Sequence, residues 1–363
     1  GRDFEASEVN LALGAAAGGS GRQPGSAFKP VVLATALEKD ISLRSRFMNV
    51  NEKVYPEANA GEDWEVSNYS PGTEQVVDLI DATRVSSNTV YADLMLEVGP
   101  GNVVDMARRL GIATELPAVN SLVLGAGEVS VLDMANAYST FARGGRSIDP
   151  IVITRVEQVG DGDGRVLETA STEAEQTISE TTAAQVAWTL RQVVLGGTGT
   201  AANFGVPVAG KTGTTQDYRD AWFVGFTPKL TTAVWMGYPD PDGEGNPRFM
   251  RDVRGRSITG GSLPAQIWRA YMQAAVAGED HGSFPTPEVT GEMLNPDLTT
   301  TTTTEATTTT TTEATTTTTE ATTTTTEATT TTTAAPTTTA APTTTAAPTT
   351  TAAPTTTAAA GDP

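Results

Sequence analysis

An abrupt change of composition at Leu298 limits how much of this 363-residue chain can fold. From Thr299 to Pro363 the sequence is almost only Thr, Ala and Pro with a few Glu, and Thr-Thr-Thr-Ala-Ala-Pro repeats every six residues near its end. This segment lacks apolar side chains, so nothing offsets the entropy cost of ordering it. The composition predicts a disordered stalk over 299–363, as an inert linker or a glycosylated tether, and a folded core before it.

Missing and rare side chains exclude several kinds of active site. The chain has no Cys, so a disulfide, a thiolate metal site and a cysteine nucleophile are all excluded. Its single histidine, His281, excludes a zinc site built from several histidines. A Ser-His-Asp triad would depend on this one residue, which lies in a loop flanked by Gly and Pro. If the protein is a nucleophilic enzyme, we therefore expect a base other than histidine.

The charge balance argues against nucleic acid as a partner. The chain has 43 acidic and 23 basic side chains and a net charge of −20, whereas phosphate binding needs clustered Lys and Arg. We attribute the acidity to solubility. No stretch approaches the ~20 apolar residues of a membrane span. The chain opens at Gly1 without an initiator Met, as a fragment does, so a targeting segment would lie upstream.

Helix-like and strand-like stretches alternate before the Thr-rich segment. The predicted helices are 26–39, 89–98, 102–110, 130–143, 180–195 and 263–277. The predicted strands are 206–212, 220–226 and 230–238. An Asp-Gly run at 160–164 favours a hairpin between 151–159 and 165–169 over a calcium loop, because the ligand pattern of such a loop is incomplete. Antiparallel strands between helices indicate an α+β sandwich.

The first motif that could carry chemistry is Ser-x-x-Lys, formed by Ser26 and Lys29 after Pro24-Gly25. Residues three apart share a helical face, so the hydroxyl of Ser26 and the amine of Lys29 can meet. An amine that burial keeps neutral can take the proton of a serine nucleophile. Taken alone, the motif more commonly marks a serine cap beside a solvated lysine.

The second motif is Ser-x-Asn, formed by Ser86 and Asn88 just before a predicted helix. In an extended loop both side chains can face one cleft. An asparagine offers a donor and an acceptor to a peptide amide, and a serine can relay a proton. Helix capping is the more common role of such a pair when it occurs alone.

The third motif is the run Lys211-Thr212-Gly213-Thr214, on a predicted strand. Side chains alternate faces, so the first and third residues share one face and the second and fourth share the other. The glycine lets a ligand approach the backbone, and the cation and hydroxyls suit a carboxylate. The segment 205–212 also matches the phosphate-binding P-loop pattern. We disfavour this alternative because no helix is predicted to start at the lysine.

The three motifs are more specific together than singly. In this order they mark penicillin-binding proteins and class A β-lactamases. Their flanking segments resemble the class A, bifunctional penicillin-binding proteins over about Gly1 to Gly278, without the Thr-rich segment. The segments that carry this resemblance are Arg22–Pro30, Ser87–Thr89, Leu124–Ser130, Ala135–Tyr138, Lys211–Pro228 and Thr259–Trp268.

The resemblance implies a penicillin-binding, serine β-lactamase-like transpeptidase fold: an antiparallel sheet flanked by helices, with a helical subdomain. It implies a D,D-transpeptidase that cross-links peptidoglycan stem peptides, takes a D-Ala-D-Ala donor and an amine acceptor, and is trapped by β-lactams. Neither a metal nor an organic cofactor is needed. The expected location is the extracytoplasmic face of a bacterial cell membrane, with anchoring only through segments absent from this chain.

The resemblance also implies a role for each motif. Ser26 would attack the substrate carbonyl, and Lys29 would be its base. Ser86 would pass a proton to the leaving amine, with Asn88 orienting it. The run Lys211-Thr212-Gly213-Thr214 would hold the substrate carboxylate, and its last N–H would form the oxyanion hole together with the N–H of Ser26.

The resemblance predicts three parts: a truncated transpeptidase domain at 1–280, a C-terminal extension at 281–298, and the tail at 299–363, which could contact the cell wall. Full-length members carry a membrane anchor and a glycosyltransferase domain upstream, and both are absent here. Gly1–Phe4 resembles the end of an early strand of the sheet. A missing strand would leave an exposed sheet edge and impair folding, so we expect an N-terminally extended chain to melt more cooperatively.

Two alternatives stay open. A D,D-carboxypeptidase or a β-lactamase on the same fold would use water in place of the acceptor amine. No clear Glu-bearing deacylation loop is evident in the sequence, so slow turnover of the acyl-enzyme is expected. A non-catalytic envelope scaffold that binds through its tail is the alternative from another class, although all three motifs are intact.

Overall fold

The helix after the Ser-x-x-Lys motif is the buried centre of the fold. A computed structural model describes residues 9–160, 162–239 and 242–299. The chain enters this helix through a 3-10 turn, Gly25–Phe28, and continues as α1 over Lys29–Glu38. Pro30 lies in the first helical turn, where its missing N–H costs no hydrogen bond. Every residue from Lys29 to Leu37 is buried, so the amine of Lys29 lies inside the protein.

Seventeen further α-helices and strands follow α1 in the described part of the chain. The helices are α2 (Leu79–Val85), α3 (Asn88–Val98), α4 (Pro100–Arg109), α5 (Val131–Ala142), α6 (Glu180–Gly196) and α7 (Leu263–Ala275). The strands are β1 (Arg46–Asn49), β2 (Glu52–Asn59), β3 (Glu62–Ser67), β4 (Gln75–Asp78), β5 (Arg146–Ser147), β6 (Arg155–Gly160), β7 (Gly162–Thr169), β8 (Glu175–Gln176), β9 (Ala209–Thr214), β10 (Asp220–Phe226) and β11 (Thr231–Gly237).

The main sheet is antiparallel, with the strand order β11-β10-β9. Its middle strand, β10, is buried along its whole length. Trp222, Val224 and Phe226 point into the core that α1 and its neighbouring helices build, whereas Phe223 points into a second core with Trp268 of α7. This alternation follows from the two-residue period of a strand. The predicted antiparallel sheet between helices is therefore confirmed.

Smaller antiparallel pairs surround this core: β1 with β4, β2 with β3, β5 with β8, and β6 with β7. The pair β1–β4 positions α2, because Asp78 at the end of β4 caps α2 by accepting a hydrogen bond from Asp81 N at 2.9 Å. Strands β1 to β4 and helix α2 were not predicted from the sequence. The strand β2 is mostly exposed, so its sequence lacks the apolar alternation that marks a half-buried strand.

The segment 279–298, the C-terminal strap, crosses the domain after α7. Its Glu292 forms backbone hydrogen bonds on either side of Ile41, accepting from Ser42 N at 2.9 Å and donating to Asp40 O at 2.6 Å. Phe284 packs edge-to-face on Phe226 with ring centroids 5.6 Å apart. The strap is thus held to the core of the domain. In the described part of the chain, no helix has the length and apolar character to cross a bilayer.

Most predicted elements are confirmed, with boundaries that move by a few residues. The largest correction is the strand predicted at 206–212, which runs from Ala209 to Thr214. Val208 is buried against the second core, so the apolar run that precedes β9 reflects loop packing. Lys211 lies mid-strand and no α-helix starts at it, which excludes the P-loop alternative. The strand end expected at Gly1–Phe4 and the tail beyond residue 299 lie outside the described residues.

Candidate active site

The amine of Lys29 is fixed by the loop that carries the Ser-x-Asn motif. Its Nζ lies within hydrogen-bond distance of Ser86 O at 2.7 Å, Ser87 O at 3.0 Å and Asn88 Oδ1 at 2.8 Å, and 3.4 Å from Ser86 Oγ. The fold thus brings Lys29 of the first motif and Ser86 and Asn88 of the second motif together. These acceptors favour the ammonium form of Lys29. Complete burial and the nearby charge of Lys211 have the larger effect, and they lower the pKa of Lys29 well below its ordinary value.

Lys211 reaches the same serine from the opposite side. Its Nζ donates to Ser86 Oγ at 2.7 Å and to Thr212 O at 3.1 Å. Burial lowers the pKa of Lys211 to about 7. Two buried amines therefore converge on one hydroxyl, and each carries a lowered pKa. Such a set can exchange protons near neutral pH, which an exposed lysine cannot do.

Ser86 is held in a backbone conformation that non-glycine residues seldom adopt. It ends α2 in the left-handed region, with φ 63° and ψ 39°. Hydrogen bonds from Ser86 N to Thr83 O and from Ser87 N to Ala82 O close this turn. The strain costs on the order of 1–3 kcal/mol and persists where the surrounding fold imposes it. The turn directs the Ser86 hydroxyl at the two lysines.

The third motif lies against the turn that carries Ser26. A Cβ on Gly213 would collide with the carbonyl of Pro24, and a Cβ on Gly25 would lie 2.8 Å from Thr214 O. Only glycine permits this approach of the two backbones. Thr215 N donates to Asp220 O across the strand pair, so by strand alternation the N–H of Thr214 points away from β10. That side of β9 faces the Ser26 turn.

The threonine hydroxyls of β9 lie on the face opposite to Lys211, as the strand period predicts. Thr212 Oγ1 is 2.7 Å from Thr198 Oγ1, and Thr214 Oγ1 accepts from Gly260 N at 3.0 Å. Both threonines border the same cleft as Ser26. The structure thus brings Lys29, Ser86, Asn88 and Lys211 into direct contact, and Ser26, Thr212 and Thr214 border the same cleft.

A network of asparagines supports the Ser-x-Asn loop, and sequence reasoning missed it. Asn68, just after β3, accepts from Asn88 N at 2.6 Å and donates to Val50 O at 2.8 Å and Asn49 Oδ1 at 2.9 Å. Asn49 Oδ1 also accepts from Ser87 Oγ at 2.7 Å. No local pattern marks Asn68, because its partners come from other elements.

A second support holds the segment before Ser26. Trp222 Nε1 donates to Gln23 O at 2.8 Å. The guanidinium of Arg22 lies 4.9 Å from the ring centre of Trp235, whose Nε1 donates to Asp220 Oδ1 at 2.8 Å. The nucleophile turn is thereby tied to β10 and β11 by side chains as well as by packing.

These groups open onto a cleft of about 1620 Å³, bordered by the motif residues and by the loops after β3 and β9. His281 lies in the C-terminal strap and is not among the residues that line this cleft. Within the described ranges, no cluster of three or more His, Asp or Glu side chains is arranged to hold a metal ion. Ser26 and Ser86 border the cleft, and the amines of Lys29 and Lys211 lie next to it, 3.4 Å and 2.7 Å from Ser86 Oγ.

Comparison with known proteins agrees with this geometry. Residues 8–248 match the family described as the penicillin-binding protein transpeptidase domain. The chain belongs to this family. Penicillin-binding protein 1A of Neisseria gonorrhoeae is 33% identical over 296 residues, which cover 79% of this chain and 35% of that protein. The corresponding protein of Aquifex aeolicus is 34% identical over 288 residues, covering 79% and 37%. The chain thus spans about a third of these curated relatives, and the class A resemblance is confirmed.

Solved structures of the family share the fold. The penicillin-binding protein PonA1 of Mycobacterium tuberculosis aligns with a TM-score of 0.67 and 31% identity, covering 79% of this chain and 76% of that one. PonA1 in complex with penicillin V aligns at 0.66 with 32% identity, covering 80% and 77%. The predicted penicillin-binding transpeptidase fold is confirmed. The family model ends at residue 248, so α7 and the strap lie beyond it.

Proposed function

We propose that this domain is a D,D-transpeptidase that cross-links peptidoglycan stem peptides through an acyl-enzyme on Ser26, and that β-lactams acylate the same serine. The observation that carries the proposal is the convergence of Lys29 and Lys211 on Ser86, beside the Ser26 turn. Two buried amines with lowered pKa values suit proton transfer near neutral pH. Membership of a penicillin-binding family supports the β-lactam part.

Acylation begins at Ser26. Its Oγ attacks the carbonyl of the penultimate D-Ala, and neutral Lys29 takes the hydroxyl proton. The negative charge that develops on the carbonyl oxygen is stabilised by the N–H groups of Ser26 and Thr214. The first lies in the opening turn before α1, where backbone N–H groups lack helical partners, and the second lies on the edge of β9 that faces the turn.

The departure of the terminal D-Ala needs a proton on its amine. Ser86 supplies it, and Lys211 restores the Ser86 proton through the 2.7 Å hydrogen bond. Asn88 orients this relay by accepting from Lys29. The hydroxyls of Thr212 and Thr214 hold the substrate carboxylate on one face of β9, and Lys211 adds positive charge from the other face. Gly213 lets the Ser26 turn lie directly against β9. The acceptor amine of a second stem peptide then attacks the ester and frees Ser26.

The donor peptide lies along β9. In the described part of the chain β9 is an edge strand of the three-stranded sheet, and its outer edge faces the cleft. An extended peptide adds to such an edge through main-chain hydrogen bonds. Because the substrate is peptidoglycan, we locate the reaction in the bacterial cell envelope, outside the cytoplasmic membrane. The reaction as proposed needs no metal or organic cofactor.

Covalent labelling with a fluorescent penicillin tests the proposal. The full chain, its Ser26→Ala variant and a Ser171→Ala control, which changes an exposed serine, are incubated with the probe and separated on a denaturing gel. We expect a stable label on the parent and the control and none on Ser26→Ala. An unlabelled parent with a normal melting transition would refute the acyl-enzyme.

The fate of the acyl group separates transpeptidation from the alternatives. With a D-Ala-D-Ala stem peptide, release of D-Ala that depends on an added amine acceptor, with formation of the cross-linked product, is the expected result. Release that is equally fast without the amine indicates a carboxypeptidase. Loss of the penicillin label within seconds indicates a β-lactamase.

A further inference from the structure

Two tyrosines bridge one part of the cleft. Tyr69, in the loop between β3 and β4, and Tyr218, in the turn between β9 and β10, both line it. Their hydroxyls are 2.9 Å apart, and their rings meet edge-to-face with centroids 6.3 Å apart and planes at 88°. The two residues lie 149 positions apart in the sequence, so only the tertiary structure brings them together. Neither residue has a role in the proton relay.

The two rings differ in how firmly they are held. Tyr218 packs against a small buried cluster of Ala221, Met250 and Ile258, and its carbonyl accepts from Met250 N at 2.9 Å. Tyr69, by contrast, is 66% exposed. The bridge therefore joins a ring anchored to the sheet and a ring that can change rotamer without disturbing the core.

The backbone under Tyr218 is held in an unusual conformation. Asp217 and Tyr218 are consecutive non-glycine residues in the left-handed region, with φ 59° and 63°. Their turn is fixed by an ion pair of 2.6 Å between Asp217 and Arg251 and by the backbone bond to Met250. Strain of this kind persists only where surrounding contacts impose it. These contacts direct the Tyr218 ring towards Tyr69.

The direction of β9 indicates which part of the donor peptide lies beside the two tyrosines. If the substrate carboxylate lies at Lys211 and Thr212 and the reacting carbonyl lies at Thr214, the donor peptide runs antiparallel to β9. Its residues before D-Ala-D-Ala then continue past the end of β9, where the strand enters the turn of Tyr218. A tyrosine offers both an apolar face and a polar tip to such a chain.

We infer that the Tyr69–Tyr218 bridge is a specificity subsite for the donor residue that precedes D-Ala-D-Ala. The aliphatic part of that residue packs on the two rings, and its polar end replaces one partner of the hydroxyl–hydroxyl bond. This inference rests on the proposed transpeptidase function. It predicts that the bridge discriminates between donors by length, because a donor that ends at the penultimate D-Ala does not reach it.

Two thioester acyl donors test this subsite in the full chain. The short donor carries an acetyl-D-alanyl group, and the long donor carries the same D-alanyl group preceded by three stem-peptide residues. The measured quantity is the ratio of kcat/KM for the long donor to that for the short donor. We expect the ratio to fall roughly fivefold in Tyr69→Ala and Tyr218→Ala, mainly through a higher KM for the long donor, since such aromatic contacts contribute this much to binding. Tyr271→Ala, which changes an exposed tyrosine on α7, should keep the parent ratio.

The phenylalanine variants separate the hydroxyls from the rings. Tyr69→Phe and Tyr218→Phe keep the stacking surface, so their ratios should lie between those of the parent and the alanine variants. Penicillin labelling of the parent is measured first, and an unlabelled parent overturns the proposed function together with this inference. A labelled parent whose ratio is unchanged in both alanine variants, or is changed equally by Tyr271→Ala, overturns the inference alone.

Discussion

Replacing Asn68 by alanine should slow the reaction at the active site, although no motif residue is replaced. The side chain makes three short hydrogen bonds, to Asn88 N, Val50 O and Asn49 Oδ1. Through them it ties β3 and the loop after β1 to the start of α3. Its removal frees the loop whose oxygens hold the amine of Lys29. We therefore expect Asn68→Ala to alter chemistry as well as stability.

The expected size of each effect follows from these contacts. Three hydrogen bonds at about 1 kcal/mol each, reduced because Asn68 is half-buried and water can replace part of them, give a loss of about 2–3 kcal/mol of unfolding free energy. For a domain of this size that corresponds to a melting temperature lower by about 3–5 °C. Misplacing catalytic groups by about 1 Å costs roughly 10²-fold in rate, so acylation should slow by between about tenfold and a hundredfold.

The assay compares Asn68→Ala with a variant that loses stability elsewhere. Asn136 on α5 is buried, donates to Gly111 O at 3.1 Å and is not among the residues that line the cleft. Both variants are melted, and the second-order rate of labelling by fluorescent penicillin is measured well below their transitions. Asn136→Ala should melt lower than the parent and acylate at the parent rate, whereas Asn68→Ala should be slower as well.

The reasoning is refuted if folded Asn68→Ala acylates at the parent rate, because the asparagine network would then not position Lys29. It is equally refuted if Asn136→Ala slows acylation as much as Asn68→Ala. The slower rate would in that case reflect general loss of stability rather than the position of the loop.

Three further predictions concern protonation, the strap and the close backbone approach. Because the pKa of Lys211 is about 7, penicillin acylation should decline as pH rises through 7. Above pH 7 the folded protein has lost the Lys211 proton, whereas the unfolded chain keeps it. The unfolding free energy of the parent should therefore rise with pH by up to about 1.4 kcal/mol per pH unit, and this rise should be absent in Lys211→Met. Ending the chain after Gly278 should lower the melting temperature by about 5 °C or more, whereas ending it after Thr299 should leave it within about 1 °C. Gly213→Ala should abolish labelling because its Cβ collides with the Ser26 turn, while Gly243→Ala, with open space around it, should label normally.

Some features of the active site could be predicted from sequence because local patterns carry them. The pairing of Ser26 with Lys29 needs only a helical turn, and the alternation along Lys211-Thr212-Gly213-Thr214 needs only a strand. The structure contains both elements, a 3-10 turn continued by α1 and the strand β9. The long buried helix α6 was also predicted with nearly its full length, because its apolar residues recur with the helical period.

Other features could not be predicted because they depend on contacts between distant segments. The strand at Val206 was predicted too early because an apolar loop that packs on a core has the same local composition as a strand. Strands β1 and β4 were missed because four residues are too few to show a period, and β2 because it is mostly exposed. In β3 the alternation of Trp64 and Val66 with acidic residues was a usable signal that was overlooked. No local sequence pattern predicts the contacts of Asn68 or the Tyr69–Tyr218 bridge, since the partners lie in other elements.

The sequence by itself determined the family and the chemical groups of the three motifs, because both depend on residue types and on spacings of a few positions. The tertiary structure decided how those groups meet. It buries the amines of Lys29 and Lys211 beside Ser86 and lowers the pKa of both, an effect of desolvation that no spacing of residues reveals. It also fixes Ser86 in a strained turn, which only the packing of α2 and α3 around it can maintain.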